Sequence, residues 1–539
     1  MIVYRRPVWD AAPFAEEGTS PVEGHGGGYM LARTIGCGLM GIEGYRVDIE
    51  VDLSNGLPAF DVVGLPDAAV KESRERIRPA MKNSHFPFPS QRITVNLAPA
   101  NQKKEGSAFD LPIALGILAA SEAIPVERLG QVIFMGELSL DGGLRRVRGA
   151  LPAALAARKL GFTRMALPAE SAAEAACVAG LEVYPLESLA QCVAWLRGEA
   201  ELAPHPFVDF ASVPRLDPQC VDFAMIRGQA SAKRAMTIAA AGGHNLLLIG
   251  PPGSGKTLLA RAMPGILPDM TFEEALEVSN IHSVADQDDY RGMTAARPFR
   301  TPHTSASVPS LVGGGAHIRP GEISLAHNGV LFMDELPQFD KAALEALRQP
   351  LEDGEVTLTR VRETVRFPAR FMLVAGMNPC PCGYYGSTEQ ACRCTPRQIQ
   401  SYVGRISGPL LDRIDLHVEV YSVPFRQMMS EAREETSEEI RARVTAARER
   451  QRARYEGLPI RCNAQLDAKF LRRYCKLNRE GMDFLEQADR AMGLSSRGHT
   501  RILKVARTIA DLAGQDDIAL EHVAEAAQYR GLDRKYWGG

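Results

Sequence analysis

The sequence predicts a multidomain α/β protein in three parts: a front α/β unit, a central nucleotide-binding α/β unit and a helical C-terminal unit. Three observations predict it. The chain has 539 residues, too many for one ordinary core. The stretch GPPGSGKT, Gly250 to Thr257, follows the apolar run NLLLI directly, which is the order strand, phosphate-binding loop, helix. Further on, GVLFMDEL runs an apolar strand into two carboxylates, Asp334 and Glu335.

Composition sets the outer limits. Apolar and charged fractions of 45% and 24% are those of a globular protein in water. The net charge of -3 provides no general attraction for polyanions, so a nucleic-acid site has to be a local basic patch. No apolar run approaches the roughly 18 residues that a membrane helix needs. The start lacks a signal-peptide core with a small-residue cleavage site, and the cytoplasm is the expected compartment. Six of the ten cysteines are scattered and four lie close together, which suggests a metal more than disulfides.

The elements follow in order. Residues 1–29 are rich in Gly, Pro and Glu without periodicity and are expected to be a disordered extension. Over 30–199, β-rich runs (YRVDIEVDL, FDVVGL, RITVNLA, QVIFMGELSL) alternate with Ala-rich helical stretches such as LPAALAARKLG. Pro and polar residues crowd 200–220, which reads as a linker. A second α/β block covers 221–424. The remainder, 425–539, is helical throughout, with EEIRARVTAARERQRARY and TRILKVARTIADLAG as its clearest runs.

The central motif carries chemistry. Gly250, Pro251, Pro252, Gly253, Ser254, Gly255, Lys256 and Thr257 form a loop whose glycines let backbone N–H groups point at phosphates. Lys256 would neutralise the β- and γ-phosphates of ATP. The Thr257 hydroxyl and Asp334 would hold Mg²⁺, and Glu335 is placed to polarise the attacking water. Both motifs together point to hydrolysis rather than nucleotide binding alone.

Other segments resemble the AAA+ ATPases. MIRGQ, ending at Gln229, resembles their adenine-side element, and VAGMNP places Asn378 at the sensor-1 position. GPLLDRIDLH puts Arg413 where these proteins carry a finger for a neighbour's γ-phosphate, with Arg405 the second candidate. SSRGHTRILKVARTIADL resembles the sensor-2 helix, with Arg501 favoured over Arg497. A finger acting on a neighbour implies a ring, most often a hexamer. FRTPHTSASVPSLVGGGAHIRPGEISLAHNGVLFMDEL looks like the helix-2 insert of the magnesium chelatase and minichromosome-maintenance clade. In LRQPLEDGEVTLTRVRETVRFPARFMLVAGMN the alternation predicts a hairpin that resembles the presensor-1 hairpin. Arg360, Arg362, Arg366 and Arg370 against Glu363 suit contacts with a DNA backbone. A hairpin charged only to block edge-to-edge aggregation is the alternative.

MNPCPCGYYGSTEQACRCTPRQ holds Cys380, Cys382, Cys392 and Cys394. Four thiolates on a short loop can close a tetrahedral Zn²⁺ site, with reduced thiols or a redox pair as the alternative. The front unit resembles the proteolytic domain of Lon in KKEGSAFDLPIAL and GELSLDGGLRRVRGAL. The nucleophile position falls on Ala108, with Ser107 one residue off, and the lysine position on Leu151. Peptidase activity is therefore not expected, and the unit reads as a scaffold or docking surface. His85, His303 and His317 stand singly and read as structural.

From about residue 30 to 535 the chain resembles the magnesium chelatase-like ComM/YifB family. The marks are GIEGYRVDIEVDLSNGLPAFDVVGLPDAAVKESRERIR, ITVNLAPANQKKEGSAFDLPIAL, GEISLAHNGVLFMDEL and MNPCPCG. The resemblance implies a hexameric ATPase driving branch migration of recombining DNA strands in natural transformation. A chelatase-type motor that drives metal insertion by a partner is the next reading. A Lon-like ATP-dependent protease is the third.

Overall fold

Two long adjacent strands open the computed structural model, which describes residues 30–285, 292–315, 318–359, 364–387, 390–430, 432–492 and 496–537. Strands β1 (Met30–Met40) and β2 (Glu43–Ser54) pair antiparallel, from Met30 opposite Leu53 to Met40 opposite Glu43. Val47, Ile49, Val51 and Leu53 of β2 are buried in alternation, the period-two signature of a half-covered sheet. With β3 (Phe60–Val63) and β4 (Arg92–Ala98) they form a sheet in the order β1-β2-β4-β3. Helix α1 (Asp110–Ala120) packs on this sheet with every residue buried, so no polar stripe marks it in the sequence. Strands β5 (Val132–Phe134), β6 (Arg164–Pro168) and β7 (Glu182–Leu186) add a parallel sheet, with helices α2 (Ala150–Lys159) and α3 (Ala169–Ala175) beside it.

The segment expected as a linker lies along the front unit. His205 N donates to Val183 O at 2.7 Å and Val208 N to Ala176 O at 3.1 Å. Val208, Phe210 and Val213 pack onto the front core, so those apolar residues, not the prolines around them, set its course.

Helix α4 (Ala230–Gly242) leads to β8 (Leu246–Ile249), α5 (Lys256–Ile266) and α6 (Phe272–Ala285). Strands β9 (Phe299–Arg300), β10 (Val330–Met333), β11 (Glu355–Thr359), β12 (Thr364–Pro368), β13 (Met372–Met377) and β14 (Leu416–Glu419) complete the central unit. Five strands form one parallel sheet in the order β9-β10-β13-β8-β14. Every residue of β8, β10 and β13 is buried, as expected where both faces are covered. Strands β11 and β12 form the expected antiparallel hairpin outside that sheet. The C-terminal unit is helical, with α7 (Ser437–Arg454), α8 (Ala468–Tyr474), α9 (Ser496–Leu512) and α10 (Gly531–Tyr536) among its elements. Helices α7 and α9 share a core with α4 and α5. Among the described residues no helix is long and apolar enough to cross a membrane.

The front unit is fused to the central one rather than tethered. Its apolar core takes in Met270, Ala275, Val278 and Met293 from the central unit. Gly149 N donates to Ser283 O at 3.1 Å. Glu174, 1% exposed, accepts from Arg146 at 3.0 Å and from the Ser283 hydroxyl at 2.8 Å. The β1–β2 turn also reaches the β11–β12 hairpin. Gly41 has φ +61°, and a Cβ there would lie 2.5 Å from the Val365 side chain. Its neighbour Ile42 packs in a cluster with Val365 and Phe367, and its carbonyl accepts from Asn280 at 3.0 Å.

Glu174→Ala removes the buried carboxylate to which both Arg146 and Ser283 donate, and breaking such a pair costs about 3 kcal/mol. Ser283→Ala removes one hydrogen bond to a charged group and costs about 1.5 kcal/mol. Urea denaturation followed by tryptophan fluorescence checks that order; equal midpoints for the two variants would contradict it.

Candidate nucleotide site and cysteine cluster

The loop after β8 is shaped by close approach. Gly250 N donates to Met377 O at 3.1 Å, and a Cβ at Gly250 would lie 2.2 Å from Val420 O, so only glycine fits between the flanking strands. Gly253 (φ +75°) and Gly255 (φ +91°) take the left-handed conformation that turns the chain into α5. Gly255 caps that helix, whose first N–H groups and positive dipole end face the loop.

Because β13 lies between β8 and β10, residues just past the ends of all three strands meet. The Thr257 hydroxyl donates to Asp334 Oδ2 at 2.6 Å, bringing the two expected Mg²⁺ ligands together. Glu335 is exposed, stands at φ +51°, and donates its N–H to Asp334 Oδ1 at 2.9 Å. A left-handed conformation at a non-glycine residue is costly and is held here by the turn that leaves β10. Lys256 donates to Gly250 O at 2.8 Å, to Pro251 O at 2.9 Å and to Asn378 Oδ1 at 3.2 Å. Burial lowers its pKa, opposed by the charges of Asp334 and Glu335. Gln229, at φ +58°, donates to Ser254 O at 3.0 Å and to Tyr421 O at 2.5 Å, tying the start of α4 to the loop. The loop residues Pro251, Pro252 and Ser254 complete the same turn, and Ser254 Oγ is buried without a partner among the described residues.

Two arginines lie elsewhere. Arg413 sits before β14, and its carbonyl accepts from Asn245, the residue that precedes β8, at 2.7 Å. Its guanidinium donates to Pro409 O at 2.7 Å and pairs with the Glu352 carboxylate. Arg501 on α9 is 5% exposed, with Asp412 at 3.5 Å and Asp415 at 3.7 Å. The N–H groups of Asp415 and Leu416 both donate to Asn245 O. Both arginines therefore stand at the start of β8 and β14, whereas the phosphate loop follows the end of β8. The rise of one short strand, roughly 13 Å, separates the two ends. The geometry does not bring Arg413 or Arg501 to the phosphate loop of their own chain. Arg497 is exposed, 3.6 Å from Asp412, and Arg405 donates to Pro337 O at 3.0 Å, beside the Asp334–Glu335 turn.

On the hairpin, Arg366 is largely exposed and 3.7 Å from Glu355 on the facing strand. Arg370 lies at its base, where its N–H donates to His327 Nδ1 at 2.9 Å. Arg360, Arg362 and Glu363 lie outside the described residues, as does His317.

The four cysteines converge. Sγ of Cys380 lies 3.3 Å from that of Cys382 and 3.7 Å from that of Cys392, and Cys382 and Cys392 are 3.6 Å apart. All four sulfurs, Cys394 included, lie within 4.8 Å of one another. Four Zn–S bonds of about 2.3 Å in a tetrahedron set sulfurs about 3.8 Å apart, so the donor set fits Zn²⁺. Burial pushes the Cys382 thiol up, but backbone N–H groups of Arg393 and Tyr384 and the neighbouring thiols outweigh it and bring it down to about 6. The cluster touches the nucleotide loop, since a Cβ at Gly383 (φ +87°) would meet Pro252 at 2.5 Å. On its other side the Tyr385 ring lies 6.2 Å from that of Tyr536 in α10.

In the front unit Leu151 is buried within α2 and Ala108 is partly buried. The Ser107 hydroxyl donates to the Glu137 carboxylate, and the buried Lys104 ammonium donates to Gln102 O at 2.9 Å and to Pro99 O. Neither constellation pairs a hydroxyl with an amine. His303 binds Ser305 at 2.8 Å and His85 occupies a left-handed turn. Sequence reasoning passed over three other histidines. Buried His244 meets Asp415 at 2.9 Å and Thr508 at 2.8 Å, buried His327 meets Glu277 at 3.0 Å, and buried His417 meets Asp533 at 2.6 Å. Each joins distant segments, which no local pattern announces.

Comparison with known proteins agrees with this architecture. The family model described as magnesium chelatase, subunit ChlI, matches residues 222–428. Related models described as subunit ChlI of Mg-chelatase and as the ChlI C-terminal part match 49–171 and 434–530. Competence protein ComM of Haemophilus influenzae is 48% identical over 92% of this chain and 96% of its own. YifB of Salmonella typhimurium is 44% identical over the same shares. The magnesium-chelatase 38 kDa subunit of Rhodobacter capsulatus is 26% identical over 57% of this chain and 85% of its own. With the phosphate loop, the Asp334–Glu335 turn and the cysteine loop all within the matched region, the chain belongs to the magnesium chelatase-like ComM/YifB family.

Proposed function

We propose that this protein is an ATP-driven DNA motor that works as a ring, most simply a hexamer, and moves branched recombination intermediates. The separation of the phosphate loop from Arg413 and Arg501 by the length of β8 carries the reading. A chain arranged this way holds one half of two different sites, and a second copy brings the missing half. Relatedness to a protein named for competence supports DNA taken up for recombination as the substrate.

In this reading Lys256 leaves its carbonyl partners for the β- and γ-phosphates. Thr257 and Asp334 would hold Mg²⁺, which when bound neutralises charge on those phosphates. Glu335 takes up the proton of the attacking water, and Asn378 orients that water. Arg413 releases Glu352 and reaches a neighbour's γ-phosphate, with Arg501 beside it on the same face. Gln229 lines the adenine side. Arg366, with Arg360 and Arg362, contacts the DNA backbone, and the front unit braces their hairpin. Cys380, Cys382, Cys392 and Cys394 hold Zn²⁺ and stiffen the segment between Asn378 and α10.

A chelatase-type motor is the second reading, favoured by the family model over the central unit. Identity of 48% over 92% of the chain to a competence protein, against 26% over 57% to a chelatase subunit, weighs toward the DNA reading. Peptidase activity is not proposed, since Ala108 and Leu151 offer no dyad.

Lys256→Ala is expected to abolish nucleotide-dependent turnover, whereas Glu335→Gln keeps ATP binding and lowers hydrolysis by about 100-fold or more, read by phosphate release and fluorescent-nucleotide titration. A four-way DNA junction should raise the wild-type ATPase rate and be resolved into exchanged strands; turnover indifferent to every DNA offered sinks the motor reading. Atomic emission should find about one zinc per chain, lost in a Cys380→Ser, Cys392→Ser variant. Full zinc content in that variant would remove the metal from the cysteine loop.

A further inference from the structure

Helix α8 and the turn after it carry a concentration of positive charge that the nucleotide site does not use. Lys469, Arg472, Arg473, Lys476 and Arg479 are all exposed. Lys469, Arg472 and Arg473 are spaced three and one residues apart, which sets them on one side of α8, and Lys476 follows in the turn just past the helix end. The opposite side holds Leu471 and Cys475, both buried in the core shared with α4 and α9. The acids in this stretch are Asp467, which accepts from the N–H groups of Lys469 and Phe470 at 2.9 Å each, and Glu480. Among the described residues none of the five cations stands in an ion pair with an acidic side chain. Nearby arginines of the same unit behave differently: Arg443 pairs with Glu435, Arg450 with Asp516 and Arg454 with Asp511.

The cations are also held. Arg473 lies 5.0 Å above the Tyr474 ring and Lys469 lies 5.6 Å from the Phe470 ring. Those rings are anchored in turn, Tyr474 edge-on to buried Tyr455 at 5.2 Å and Phe470 stacked on Tyr474 at 6.3 Å. Cations resting on rings fixed to a core lose little freedom when a ligand arrives.

We propose that this face of the C-terminal unit is a second DNA-backbone surface, separate from the β11–β12 hairpin. Three cations over about 6 Å of helix, with Lys476 in the turn that follows, match the charge spacing of a nucleic-acid backbone, and two of the four are arginines, whose planar forks suit phosphate. In a chain of net charge -3 this is the local basic patch that a polyanion needs. The proposal rests on the DNA-motor reading, to which it adds a contact that reads no sequence and holds a further arm of a branched substrate.

The test replaces Lys469, Arg472, Arg473 and Lys476 together by Gln in the full chain. A forked DNA is titrated by fluorescence anisotropy at several salt concentrations. The expected result is a loss of affinity of tenfold or more at 0.1 M salt. The plot of log affinity against log salt should also become shallower by about 3, for the four lost phosphate contacts. In wild-type protein, bound DNA should protect Lys469 and Lys476 from an amine-acetylating reagent, a readout independent of the variant's folding. Wild-type binding with an unchanged salt slope in the variant, or with both lysines fully reactive in the complex, overturns this surface and leaves the motor reading standing. Protection by polyglutamate but not by DNA reassigns the face to an acidic protein and overturns it too. Wild-type protein that binds no DNA sinks the motor reading and this surface together.

Discussion

The parallel pairing of β8 with β13 on one side and β14 on the other is the constraint on which the site depends. Parallel strands deliver their C-terminal ends to one edge, so the phosphate loop, Asp334 and Asn378 meet there without long connections. The same pairing sends what precedes β8 and β14 to the far edge. Asn245 gathers that edge through bonds to Arg413, Asp415 and Leu416, and Asp412 and Asp415 face Arg501 there. Chemistry that needs both sets of residues must draw them from two chains. The ring of the proposed function rests on this separation.

Rigidity between units is the second theme. The front unit shares apolar core with α6 and places Gly41 and Ile42 against Val365 of the hairpin. The C-terminal unit shares core with α4 and α5, and the cysteine cluster stands between the phosphate loop and α10. A shift at the loop thus meets packed neighbours on several sides. Close-packed interfaces pass such shifts on as discrete movements rather than absorbing them.

What the sequence made legible was local. A loop fixed by glycines, a strand ending in two acids and a hairpin with alternating residues each carry their own pattern, and the fold contains the turn after β8, the strand β10 that ends before Asp334 and the β11–β12 hairpin. The convergence of the four cysteines was also foreseeable, since the chain that joins them is short. What escaped was set by packing between distant segments. The ion pairs of Arg501 with Asp412 and Asp415 carry no local pattern. His244, His327 and His417 carry no motif, and their partners are remote in sequence. The stretch 200–220 reads as a linker by its prolines, while Val208, Phe210 and Val213, which follow neither strand nor α-helix spacing, attach it to the front core.

Mixing subunits tests the central claim most directly. Chains carrying Arg413→Ala keep an intact phosphate loop, and chains carrying Lys256→Ala keep an intact arginine. Assembled together they should hydrolyse ATP well above the sum of the two separate preparations, because each supplies what its neighbour lacks. A mixture no more active than that sum, in material verified to contain both chains in one particle, would place the arginine's action within its own chain and contradict the account.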